Sequence, residues 1–136
     1  MSAERFWSVV ALGLAGVLTA CATGGAYDDP YALVEPGLRS PVRKEAPAFI
    51  HAVDGQIPVN SRYSIPLTPG KHALDVYFST DSSAGAPEKH RRVLDLEAAP
   101  CTRYRVVARY TNFTHPDWEP VVYSEPIGEC EARFRR

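Results

Sequence analysis

Short apolar runs broken by turn residues are the feature that most limits how this chain can fold. From Pro47 onward, runs of apolar residues alternate with Gly, Pro, Asp, Asn and Ser clusters at intervals of about ten residues, a spacing that suits strands stacked in sheets. No stretch in that region carries the helical period over a useful length. The clearest alternation spans residues 103–110, where Tyr104, Val106, Ala108 and Tyr110 share one face while Arg103, Arg105, Val107 and Arg109 share the other. Such a strand places one face in a core and the other in water.

The remaining runs follow the same logic. Ala48 to Val53 closes on Asp54-Gly55, a pair suited to the positive φ of a tight hairpin turn. Arg62 to Leu67 puts Tyr63, Ile65 and Leu67 on one face, and Pro66, which donates no amide hydrogen, predicts a short or edge strand. Thr68-Pro69-Gly70 turns the chain into Lys71–Phe78, with His72, Leu74, Val76 and Phe78 on one face, and the small polar residues of 79–89 predict a loop. Val93–Leu96 and Trp118–Ser124 supply two more strands, the last leading through Pro126-Ile127-Gly128 to Cys130. The expectation is an all-β fold, a small antiparallel β-sandwich of about six to seven strands over residues 47–130, followed by a basic tail, 131–136. That tail, ending Arg133-Phe134-Arg135-Arg136, is expected to be disordered, with contact to anionic lipid or cell wall as the alternative.

The N-terminus is different in kind. After a short polar start comes an uncharged stretch of thirteen residues, Phe6–Leu18, which matches the apolar core of a signal peptide. A membrane-spanning helix needs about 20 apolar residues. The stretch ends in Leu18-Thr19-Ala20-Cys21, which resembles the lipobox of bacterial lipoproteins. The resemblance implies that residues 1–20 are cleaved and that Cys21 becomes the lipid-modified first residue, anchored in a membrane by two or three acyl chains. Because one acyl chain binds only marginally, several are needed for a stable anchor. The same resemblance implies, from Ala22 standing where an aspartate would signal retention in lipoproteins of Gram-negative bacteria, sorting to the outer membrane, facing the periplasm. An ordinary cleaved signal or an uncleaved anchor are the alternatives.

With Cys21 acylated, Cys101 and Cys130 remain in a chain sent to an oxidising compartment, and they are expected to pair. A loop of this size stabilises a fold by ~3–4 kcal/mol in the chain-entropy account. A reactive dithiol is the alternative, without a CxxC spacing to favour it. Residues 21–46 hold three prolines, three glycines and mixed charges without any period, and read as the lipidated N-terminus and a flexible tether. Such a tether spans ~25–30 Å on average and roughly 80 Å at full extension. An edge strand at Tyr31-Ala32-Leu33-Val34 is the alternative reading.

Charge and motifs narrow the function. A net charge of −1 gives no basic surplus for nucleic acid. The four histidines, His51, His72, His90 and His115, lie in separate segments without metal-ligand spacing, so no metal site and no cofactor are expected. His72, just after a Pro-Gly turn, is expected to bond backbone groups of that turn. No Gly-x-Ser-x-Gly or catalytic-cysteine setting occurs, and an enzyme is not expected. Two candidate contact surfaces remain. Arg103, Arg105 and Arg109 could offer a cationic stripe, against the plainer reading of a solvated sheet face. Phe113, His115 and Trp118, with Tyr110 and Tyr123, surround a turn at 112–117 and could stack on sugar rings, against a core role for Trp118 and Tyr123.

Val53-Asp54-Gly55, Leu67-Thr68-Pro69-Gly70-Lys71-His72 and Tyr104-Arg105-Val106 together resemble the PEGA-like modules of bacterial envelope proteins, over roughly residues 47–110. The resemblance implies a small β-sandwich with a scaffolding or surface role and no catalytic residues. The function expected is therefore a lipid-anchored, non-enzymatic envelope scaffold or accessory binding module with an envelope protein partner. A glycan or peptidoglycan module using the 112–118 loop is the alternative, and an unrecognised envelope hydrolase the third.

Overall fold

The computed structural model describes residues 25–59, 63–78, 91–112 and 117–135. The leader, Cys21, the expected loop 79–89, His90, Phe113 and His115 lie outside the described residues.

The fold is an all-β sandwich of two sheets. Its strands are β1 (Ala32–Pro36), β2 (Glu45–Pro47), β3 (Phe49–Val53), β4 (Ile65–Leu67), β5 (Gly70–Tyr77), β6 (Arg91–Ala98), β7 (Thr102–Tyr110) and β8 (Trp118–Pro126), followed by helix α1 (Gly128–Phe134). β3, β5 and β6 form the smaller sheet. In the larger one β7 is the hub. β8 pairs with its whole length from Thr102↔Pro126 to Tyr110↔Trp118, while its other edge is shared by β1 over residues 102–106 and β2 over 107–109. β4 closes the far side of β1.

The expected faces are the observed ones where alternation was clear. Tyr104, Val106 and Ala108 of β7, Leu74 and Val76 of β5, and Phe78 just after β5 point into the core with Ile50, Leu67, Leu96 and Trp118. The Val53–Gln56 turn forms as a two-residue reversal. Val53 and Gln56 exchange backbone hydrogen bonds of 2.9 Å each way, and Asp54 and Gly55 take φ of 50° and 78°. The chain does not then pair back on β3. It crosses to the other sheet as β4, while β3 pairs with β5.

Three expectations are corrected. Residues 32–47 are part of the domain and not tether: β1 lies between β7 and β4, running parallel to β7, so the sandwich is mixed and not purely antiparallel. Ala32, Leu33 and Val34 are all buried, a burial on both faces that erases any alternation from the sequence. The outer face of β7 is not uniformly wet either. Val107 is buried because the chain after β1 crosses over it, with the Gly37 amide donating to Val106 O at 2.8 Å. A Cβ on Gly37 would stand 2.4 Å from Val107 Cγ1, so glycine is what permits the crossing. Finally, most of the expected tail is helical. α1 extends to Phe134 and packs on a small second cluster of Leu33, Cys101, Ile127 and Cys130, in which Tyr31 and Phe134 join. Cys101 and Cys130 are disulfide-bonded, with Cα atoms 5.3 Å apart.

Candidate functional site

The outer face of the larger sheet carries the three arginines singled out in the sequence, and it is a neutralised surface. Register sets Glu35 of β1 opposite Arg105 and Glu125 of β8 opposite Arg103. Arg105 Nε donates to Glu35 Oε1 at 2.9 Å and its Nη1 lies 2.9 Å from Glu125 Oε1. Arg103 Nη1 reaches Glu125 Oε1 at 3.3 Å, and Ser64 Oγ donates to the other oxygen of Glu35. These groups are partly exposed, so each pair contributes modestly. What they remove is the free positive stripe.

Arg109 belongs to a second, tighter group. Glu45 stands opposite it in the β2–β7 register and is 1% exposed, the only charged side chain in the described interior. Lys44, at φ 54°, ends a single 3-10 turn (Pro41–Arg43) in the left-handed conformation and turns the chain inward for Glu45 to follow. Glu45 Oε1 accepts from Tyr123 Oη at 2.6 Å and from Arg109 Nη2 at 2.8 Å, and the Arg43 guanidinium lies 5.6 Å from the Tyr123 ring centroid. Burial, the largest influence on this carboxyl, pushes its pKa up. The hydrogen bonds from Tyr123 and Arg109, with the charges of Arg43 and Arg109, outweigh it and hold the pKa below the ordinary value. The sequence hid this group because Glu45 sits in a stretch without period.

Beside this group, at the end of the β7–β8 ladder, a cleft of about 630 Å³ is lined by Arg43, Lys44, Arg109, Tyr110, Asp117 and Trp118 among others. Its charges are of both signs. Trp118 is a core residue, 6% exposed, edge-on to Phe78 at 5.9 Å and capped by the Arg92 guanidinium at 5.2 Å, and its Nε1 is buried without a hydrogen-bond partner. Tyr110 stacks on Phe78 at 5.9 Å. Of the expected aromatic surface, Tyr110, Trp118 and Tyr123 are thus held by structural contacts, and the Tyr123 hydroxyl donates to Glu45.

At the opposite end His72 joins two turns. Its Nδ1 lies 2.6 Å from Asp54 Oδ2 and its Nε2 lies 2.6 Å from Thr68 O, while the Ala73 amide donates to Asp54 Oδ1 at 2.8 Å. Neither partner oxygen carries a hydrogen, so both bonds form only when both ring nitrogens are protonated. Burial, the largest influence, lowers the His72 pKa; the bonds to Asp54 and Thr68 and the Asp54 charge outweigh it and raise the pKa above 6.5. The Asp54 carboxyl is lowered, first by the Ala73 amide and then by His72. The backbone bond expected for His72 is present; the carboxylate partner, distant in sequence, was not foreseen.

Among the described residues no three His, Cys, Asp or Glu side chains group as metal ligands, and no helix is long and apolar enough to cross a membrane. No family model, curated protein or solved structure matches the chain.

Proposed function

We propose that the chain is a lipid-anchored envelope protein whose sandwich serves as a scaffold or accessory binding module and not as a catalyst. The observation that carries this reading is the use of the cysteines. Cys101 and Cys130 are bonded to each other, which leaves Cys21, at the end of the apolar run, as the remaining thiol of three. A disulfide suits a domain that works in an oxidising compartment. Kinship with PEGA-like modules is supported by the two turns that carry the resemblance, which His72 and Asp54 tie together.

The test is the intact mass of the chain recovered from membranes of a bacterial host with lipoprotein processing. Loss of residues 1–20 with acyl groups on Cys21 is expected, and Cys21→Ser should abolish lipid labelling. A membrane-recovered chain that keeps its leader, or carries a bare Cys21, overturns the anchor. Crosslinking in intact envelopes should recover a stable protein partner, and recovery of monomer alone argues against a scaffold.

A second reading, a glycan module, is favoured by the cleft beside Trp118 and Lys44. It predicts retention on isolated peptidoglycan that falls with Phe113→Ala or Lys44→Ala in folded protein.

A further inference from the structure

The point at which the chain enters the fold lies against its C-terminal helix. The Cys101 amide donates to Tyr31 O at 2.7 Å, Arg133 Nη2 lies 3.9 Å from Asp28 Oδ1, and Tyr31 and Phe134 pack on the cluster around the disulfide. Upstream, the Gly25–Asp28 turn is closed by Asp28 N to Gly25 O at 3.0 Å and Gly25 N to Asp28 Oδ2 at 2.6 Å. Gly25 is only four positions after Cys21, and four residues reach at most about 14 Å. The stalk is therefore far shorter than the 21–46 composition suggested.

We infer that the end of the sandwich formed by residues 25–31, the Cys101–Cys130 disulfide and α1 is held against the phospholipid headgroup layer in which Cys21 is anchored. The inference rests on the acylation proposed above and deepens it. Exposed groups at this end are amphipathic: Tyr27 is 46% exposed, and Arg133 and Arg135 flank the half-buried Phe134. Asp28, Asp29, Glu129 and Glu131 lie exposed in the same segments, so long-range attraction to anionic lipid does not set the contact. The short stalk does. β7 runs from this end to the cleft at Arg109 and Tyr110, roughly 27 Å away at about 3.4 Å per residue, so the cleft points away from the bilayer.

The test uses the full chain, processed in a host and reconstituted in vesicles of phosphatidylethanolamine and phosphatidylglycerol. A benzophenone amino acid is placed singly at Tyr27 or Arg135, and for the far end at Leu38 or Val42, which are 79% and 95% exposed. Lipid adducts after irradiation should be at least about fivefold more frequent at Tyr27 and Arg135, because the stalk holds them at high local lipid concentration. The ratio should persist in high salt. Twenty Gly-Ser residues inserted between Gly24 and Gly25 should bring it toward one. An acylated chain with equal adducts at both ends overturns the orientation while the anchor stands, and a ratio unmoved by the insertion overturns the short stalk as what holds it. A bare Cys21 overturns both.

Discussion

Replacing Glu45 with glutamine asks whether residues 37–47 belong to the fold as the structure has them. In a tether the change would be silent. In the sandwich Glu45 is 1% exposed and its Oε1 accepts hydrogen bonds from Tyr123 and Arg109. A hydrogen bond to a charged group is worth about 1.5–3 kcal/mol. Glutamine still accepts from one donor, the amide is cheaper to bury than a carboxylate, and Arg109, 44% exposed, regains water when released. A net loss of about 1–2 kcal/mol remains, or roughly 4–8 °C in Tm for a domain of this size. The pH dependence adds a second signature. The folded pKa of Glu45 lies below 4.5, so its contribution is fully present above 4.5 and is lost as pH falls through the folded pKa. Guanidinium unfolding of wild type and Glu45→Gln, with the disulfide intact, should show a gap at pH 7 that closes progressively below pH 4.5. Equal stability at pH 7, or a gap that stays constant into acid, would refute the buried-carboxylate account.

Three further outcomes are expected. His72 should titrate above 6.5 by NMR and fall toward 6.5 or below in Asp54→Asn; because the folded pKa is raised, its stabilisation is complete below pH 6.5 and lost as pH rises through the folded value, and an unshifted His72 would break the argument. Cys101→Ser with Cys130→Ser opens a 29-residue separation and should lower stability by about 3–4 kcal/mol at equilibrium unfolding, with a loss under 1 kcal/mol counting against the chain-entropy estimate. Gly37→Ala, whose new methyl meets Val107, should lose about 1–3 kcal/mol in the same assay, and an unchanged midpoint would show that the crossing yields easily.

The legible part of this fold was the part with one wet face. Strands β5 and β7 announced themselves because buried and exposed residues alternate, and the Asp54-Gly55 turn because its backbone needs residues tolerant of positive φ. β1 was legible only as the alternative edge strand at Tyr31–Val34: Ala32-Leu33-Val34 is apolar on both faces and flanked by Pro30, Pro36 and Gly37, so it reads first as linker, and its place between β7 and β4 left no trace. The arginine face was read correctly as a sheet surface, but its partners were hidden for a related reason. A sequence shows the row Arg103, Arg105, Arg109 but not the carboxylates that register brings to it, Glu35 and Glu45 from far upstream and Glu125 from the next strand. Pairing partners separated by 64 or 70 positions leave no local trace.

One edge of β7 draws on distant chain, and this fixes an order of events. β1 and β2 are made first, yet their partner strand lies some seventy residues later, and Val106 O alone receives the amides of both Gly37 and Ala48. Until β7 exists, β1 has only the short β4 to pair with and β2 has no strand partner, so one edge of residues 32–47 presents bare backbone. Loop-closure entropy over that distance makes such pairings slow. Residues 32–47 are therefore made well before the strand that completes their pairing, so proteolysis during refolding should cut there before it cuts the β5–β6 hairpin.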